Sequence, residues 1–277
     1  MSDAAPPEFD RGLVRKKSLG QHFLHDGAIL SKIVTALGPL DGEHVLEIGP
    51  GTGRLTARLC ERVGPERLVC LEFDRDMIAH LGAKLPEVAV LHGDAATFDY
   101  EALRPGTPMS LAANLPYNAS TAILFHILQS HRARFRRLVV MLQREVAERL
   151  LATPGKDGKA YGPPSVFITA LCDARPVCRV PPRAFRPPPR VDSMVIALDP
   201  LATPRFGLTD AELPRFQRFV RACFEQRRKT LHNNLRAVTS DSAAFIAAAG
   251  LAADVRAEVV PAGVLVSLWR AVVANAA

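Results

Sequence analysis

The chain has 277 residues, 48% of them hydrophobic, and carries 35 Lys and Arg against 28 Asp and Glu, a formal net charge of +7. That length suits one sizeable α/β domain with a small appendage, and the positive surplus points to a polyanionic partner. No apolar run is long enough to cross a bilayer, and the first twenty residues hold no apolar core of a secretory signal. The five scattered cysteines form no CxxC pair, and the eight histidines no HExxH. This argues against a metal site and suits reduced thiols in a cytoplasm.

Residues 1–25 read as a basic arm. From Asp26 the segment DGAILSKIVTALG has helical periodicity, a capping aspartate and a closing glycine. HVLEIG then reads as a buried strand, RLTARLCERV as a helix and RLVCLE as a second strand. The alternation continues with RDMIAHLGAKL helical, VAVLHG and MSLAANL extended, TAILFHILQ helical and RLVVMLQ extended. Strands alternating with helices of about ten residues predict a mostly parallel sheet covered by helices on both faces, a Rossmann-like α/β fold. Sites in such sheets lie at the carboxyl ends of the strands. YGPPSVFITALC predicts a further helix. PVCRVPPRAFRPPPRVDSMVIAL predicts a strand, a proline-stiffened loop around Phe185 and a final strand. From Thr209 the pattern is helical throughout. A boundary near residue 203 separates a domain over 26–203 from a small all-helical domain over 204–277.

Charge is unevenly spread. Between His131 and Arg190 there are thirteen Lys or Arg and four Asp or Glu, a local excess of nine. An excess carried by several elements suits a face that follows a phosphate backbone, so RNA or DNA is the expected partner.

The first strand runs into LEIGPGTGRLT, Leu46 to Thr56. Glycines let main-chain N–H groups approach a ligand. The dinucleotide fingerprint needs a glycine where Arg54 stands, and no Lys-Ser/Thr pair marks a Walker loop. Glycines at 49, 51 and 53 behind Glu47 resemble motif I of S-adenosylmethionine methyltransferases instead. Glu72 ends the second strand, where a carboxylate can take two ribose hydroxyls. Asp94 ends the third, where it can accept from an exocyclic amine.

At the end of the fourth strand stands NLPY, Asn114 to Tyr117. An adenine amino group is a poor nucleophile, because its lone pair is delocalised into the ring. Methylating it requires in-line positioning and acceptors aimed at its N–H groups. The Asn114 side-chain oxygen and the Leu115 carbonyl can be those acceptors, Pro116 fixes the turn, and Tyr117 offers a stacking ring. Against this, Asn118, Ser120 or Thr121 could simply cap the next helix, and Tyr117 could be core. Phe185 is either packing or, between Arg183 and Arg186, a second wall for an extruded base.

KKSLGQHFLHD, VLEIGPGTGRLT, LEFDRDM, GDAATF, NLPYNAST, MLQREVAERL, VPPRAFRPPPRVDSMV and RRKTLHNNL follow in order along nearly the whole chain. With them the sequence resembles the KsgA-type ribosomal RNA adenine N6,N6-dimethyltransferases. The resemblance implies that Gln21, His22 and Leu24 close over the cofactor, and that Gly49, Gly51, Glu72, Asp94, Ala95 and Asn114 bind S-adenosylmethionine. It implies that Asn114, Leu115, Pro116 and Tyr117 carry the chemistry, with Phe185 opposite Tyr117. Arg144, Arg183, Arg186, Arg227, Arg228 and Lys229 would contact RNA, the last three from a helix of the small domain. The implied activity is dimethylation of two adjacent adenosines near the 3′ end of 16S rRNA, on an assembling small subunit, by a monomer. The sequence departs from the family's pattern at Pro163-Pro164, which puts the local helix start in question, and in its loosely matching last helix. A macrolide-resistance methyltransferase acting on large-subunit RNA and a nucleic-acid-binding relative without activity, of the mitochondrial transcription factor type, are the rival readings.

Overall fold

The computed structural model describes residues 22–103 and 106–275. Gln21 and the rest of the basic arm before His22 lie outside the described residues. The chain divides into two compact units. The first gathers residues up to Ala147 with Arg175–Pro200, and the second Glu148–Ala174 with Leu201–Ala277.

In the first unit, β2 (His44–Ile48), β3 (Leu68–Glu72), β5 (Met109–Asn114) and β6 (Phe135–Gln143) are almost wholly buried. Burial on both faces explains why they read as continuous apolar runs rather than alternating ones. The outer strand β4 (Ala89–His92) is half-exposed. With β7 (Cys172–Val180) and β9 (Ser193–Pro200) they form one sheet in the order β4-β3-β2-β5-β6-β9-β7. Pairing is parallel from β4 to β6 and antiparallel between β6 and β9. The chain runs outward from β2 through β3 to β4, then returns past β2 to β5 and β6. That reversal opens a crevice beyond the carboxyl ends of β2 and β5.

The helices α1 (Gly27–Ala36), α2 (Arg54–Val63), α3 (Arg75–Lys84) and α4 (Ser120–Ser130) fall where the periodicity predicts them. Asp26 caps α1, accepting from the N–H groups of Ala28 at 2.9 Å and Ile29 at 3.1 Å. Leu30 and Ile33 from α1, Leu37 just after it, and Leu55, Leu59 and Val63 from α2 pack into one buried cluster with the sheet. The sequence did not predict the pairing of β1 (Phe23–Leu24) with β8 (Phe185–Arg186), which sets Leu24 opposite Phe185. It ties the end of the arm to the proline-stiffened segment.

The division between the units falls within α5 (Arg144–Leu151), and in the second unit α6 (Pro163–Leu171) starts cleanly at the two prolines. The Gly162 N–H donates to Ser165 Oγ at 3.1 Å, and prolines at the first helical positions sacrifice no helical bond. The sequence reading put this segment with the sheet domain. It clusters with the C-terminal helices α7 (Leu213–Cys223), α8 (Leu231–Leu235), α9 (Ser242–Ala248) and α10 (Ala262–Asn275) because it supplies aromatic rings to their core. Phe167 stacks on Phe216 with centroids 6.3 Å apart, and Phe216 meets Trp269 edge-on at 5.7 Å. The region after Thr209 is four helices joined by turns rather than continuous helix. Among the described residues no helix is long and apolar enough to cross a membrane.

Candidate functional site

A cleft of about 280 Å³ opens at the β2–β5 switch point. Its floor is the loop after β2. Gly49, Gly51 and Gly53 have φ of +67°, +53° and +88°, a region side chains rarely tolerate. A Cβ on Gly51 would stand 3.2 Å from the Phe23 ring, and one on Gly49 3.7 Å from the Asn114 carbonyl. The glycines therefore keep a bare main-chain surface directly beneath the cleft.

Glu72, at the end of β3, is held from its own turn. Its Oε1 accepts from the N–H groups of Phe73 at 2.8 Å and Asp74 at 2.9 Å. Its Oε2 meets the Gly51 N–H only at 3.4 Å, which leaves that oxygen room for another donor. Burial raises its pKa and these main-chain bonds pull it back. Asp94 and Ala95, after β4, also line the cleft, with Asp94 exposed and accepting from the Ala96 N–H at 2.9 Å. Glu47, inside β2, reaches the same wall fully buried. Burial lifts its carboxyl to about 8, partly offset by the neighbouring Thr56 and Cys70 side chains and reinforced by the charge of Glu72.

The lip opposite the glycines is the NLPY turn. The Asn114 side-chain N–H donates to the His22 carbonyl at 3.2 Å, which fixes the amide and turns its oxygen away from that contact. The Ala119 N–H bonds to the Pro116 carbonyl at 3.1 Å, whereas the Leu115 carbonyl accepts no hydrogen bond among the described residues. The turn thus consumes one carbonyl and leaves the other open. Capping does not account for the tetrad: Ala119 is the N-cap of α4, no side chain caps it, and Ser120 Oγ donates back to the Tyr117 carbonyl at 3.2 Å. Tyr117 is not core either, being half-buried on the cleft wall. Its hydroxyl lies 2.6 Å from Ser193 Oγ, and its ring faces that of His22 at 6.0 Å and 26°. The His22 ring is tied in turn to the Pro187 carbonyl at 2.8 Å. His22 and Leu24 also line the cleft.

Other expectations need correction. Phe185 is 1% exposed and packed in the core opposite Leu24, so it is not a second wall of the cleft. In the two-residue strand β8 the side chains alternate, and the inward place falls to the aromatic while Arg186 faces out. Arg227, Arg228 and Lys229 are not helical; they occupy the turn between α7 and α8. Arg227 donates to the carbonyls of Lys159 and Tyr161, so its guanidinium fastens the second unit internally. Arg144 is exposed but paired with Asp192 at 2.9 Å, while Arg183 and Arg186 are exposed and unpaired among the described residues.

The basic excess between 131 and 190 is partly structural too. Arg132 and Arg134 are buried, Arg136 pairs with Glu43, and Arg137 grips Asp199 with two bonds of 2.5 and 2.9 Å. Arg136 and Arg137 also donate to carbonyls at the end of α1, where unsatisfied carbonyls attract cations.

Three features went unread in the sequence. Phe73, 57% exposed, lines the cleft beside Glu72. The buried Ser193 lies within hydrogen-bond reach of the Tyr117 hydroxyl. On α7, Arg215, Arg218 and Arg221 form an exposed stripe with no hydrogen bond or ion pair among the described residues. Their i, i+3 spacing puts them on one side of the helix, while Leu213, Phe216, Phe219 and Val220 fill the opposite side.

The chain is similar to known proteins over most of its length. The family model described as ribosomal RNA adenine dimethylase matches residues 12–271. The ribosomal RNA small subunit methyltransferase A of Xanthomonas campestris pv. campestris is 45% identical over 246 residues, 88% of this chain and 90% of that protein. Its counterpart from Xanthomonas oryzae pv. oryzae is 46% identical over the same shares. Among solved structures, a dimethyladenosine transferase from Plasmodium falciparum superposes with a TM-score of 0.71 at 26% identity, over 89% of this chain and 96% of that one. The 23S rRNA methyltransferase ErmE reaches 0.69 at 25% identity, over 90% and 98%. A match spanning both compact units, joined to relatives sharing nearly half their residues, leaves one conclusion: this chain belongs to the ribosomal RNA adenine dimethylase family.

Proposed function

We propose that the chain dimethylates the N6 amino groups of two adjacent adenosines near the 3′ end of 16S rRNA in an assembling small subunit, as a cytoplasmic, monomeric enzyme using S-adenosylmethionine. The observation that carries this reading is the NLPY lip: a tethered amide and an open main-chain carbonyl at the mouth of a glycine-floored cleft. The donor set fits the cofactor. The bare surface of Gly49 and Gly51 would admit its methionine end, and Glu72 Oε2 would accept from its ribose. Asp94 and Ala95 would meet its adenine, and His22 and Leu24 would close the remaining side. When bound, S-adenosylmethionine supplies an electrophilic methyl group on a sulfonium sulfur.

The rest of the work falls to the chain. Asn114 Oδ1 and the Leu115 carbonyl would accept from the two N–H bonds of the target amine. Positive charge grows on that nitrogen as it is alkylated, so acceptors already in place bind the transition state more tightly than the ground state. Holding the nitrogen in line lowers the barrier further by removing the entropy of approach. Tyr117 would stack on the extruded base, worth about 1–3 kcal/mol. Once the methylated nitrogen has shed one proton to solvent, a single N–H remains for the second round, and one acceptor suffices to orient it.

Outside the cleft, Arg144, Arg183 and Arg186 on the first unit and Arg228 and Lys229 with the α7 stripe on the second would contact phosphates. The small-subunit substrate follows from the names of the 45–46% identical relatives; the similar fold of ErmE keeps large-subunit RNA as the second reading. Tritiated S-adenosylmethionine incubated with purified small subunits, large subunits and naked RNA tests it. Label in adenosines of the small subunit is expected. Label confined to large subunits, or none anywhere, overturns the proposal.

A further inference from the structure

Strand β9 begins SMVIAL, and every residue from Ser193 to Leu198 is buried. A lone hydroxyl in such a run is costly unless it is bonded. Ser193 is 0% exposed, and its only side-chain partner among the described residues is the hydroxyl of Tyr117, 2.6 Å away. The serine is held by rigid backbone. It pairs with Gln143 at the end of the β6–β9 ladder, and next to it the Arg144 N–H donates to the Asp192 carbonyl at 2.9 Å. Tyr117, by contrast, stands in the turn between β5 and α4. A ring on a turn can swing about two side-chain torsions unless its far end is caught.

We infer that Ser193 is a positioning residue for methyl transfer, locking the Tyr117 ring by its hydroxyl so that the stacked base presents its amine to Asn114 and Leu115. The inference rests on the reading of Tyr117 as the stacking ring. The direction of the Tyr117 titration agrees with it: burial raises the phenol, and the bond to Ser193 pulls it back. The phenol stays neutral at working pH, and either hydroxyl can be the donor in the bond.

A double-mutant cycle tests this with single-turnover methyl transfer at saturating RNA and S-adenosylmethionine. Ser193→Ala is expected to slow the step about tenfold, as for loss of one buried hydrogen bond, with RNA affinity unchanged. Tyr117→Phe breaks the same bond without touching β9 and is expected to cost the same. The double variant is expected to be no slower than either single one. Losses that multiply would show that Ser193 acts on the sheet rather than through the ring, and full activity in Tyr117→Phe would likewise overturn the inference. Tyr117→Ala separates this from the parent reading. If that variant keeps its rate, stacking by Tyr117 itself is wrong. If it loses about a hundredfold while Ser193→Ala loses nothing, only the positioning role fails.

Discussion

The cleft and the α7 surface are built on opposite principles. In the cleft, Asn114, Glu72, His22 and Tyr117 each have a hydrogen-bond partner that fixes one end and leaves the other aimed inward. On α7 and the turn after it, Arg215, Arg218, Arg221 and Arg228 have no partner among the described residues, against a single acid, Glu225, between Leu213 and Lys229. Pairing preorganises a group for a reaction, because nothing need reorganise when charge develops. Lack of pairing keeps a cation available for an outside phosphate, whose counterions it displaces. The arginines from 132 to 137 are a third case, cations spent on their own fold. Counting charge in the sequence merges all three.

The largest expected effect is on the cofactor. Glu72→Ala removes the carboxylate from two short main-chain bonds and from the ribose it would hold, and should weaken S-adenosylmethionine binding about a hundredfold by calorimetry. Unchanged affinity would mean the cleft binds its ligand in some other way. Next comes the surface. Changing Arg215, Arg218 and Arg221 together to Gln should weaken RNA-particle binding about tenfold and reduce the slope of log K against log salt by about 2, at roughly 0.7–0.9 per lost phosphate contact. The rate at saturating RNA should not move. Arg227→Gln should instead lower the melting temperature and leave the salt slope alone, because its guanidinium already serves two carbonyls. If Arg227 changes the slope and the triple variant does not, the comparison is inverted.

A smaller effect concerns pH. Burial pushes the Glu47 carboxyl from its ordinary value of 4.5 up to about 8. Between those values the folded state binds more protons than the unfolded, so this group makes stability fall as pH rises from about 4.5 to about 8. Glu47→Gln should flatten that part of the stability profile in urea titrations. An identical profile would show that the buried carboxyl is already ionised at low pH.

Much of this was readable beforehand for local reasons. The strands announce themselves by unbroken apolar runs, and the glycine loop by spacing. Asn114 to Tyr117 stood out because proline and an aromatic follow an amide at a strand end. What escaped depends on contacts distant in sequence. Whether Phe185 points inward is settled by its pairing with Leu24, 161 positions away in the register of β1 and β8. Ser193 looks like any small strand residue until the Tyr117 hydroxyl is brought to it across 76 positions. Arg227 looks like its neighbours Arg228 and Lys229, and only the placement of Lys159 and Tyr161 distinguishes it.

Methyl transfer in the proposed mechanism depends most on the Asn114 amide. Its most direct test is the single-turnover rate of Asn114→Ala with small-subunit RNA and S-adenosylmethionine both saturating, alongside RNA affinity in the same variant. A loss of about 10²–10³ in rate, with affinity within about threefold of the parent, is the predicted result for removing one acceptor from a preorganised site. A rate equal to the parent's would contradict it.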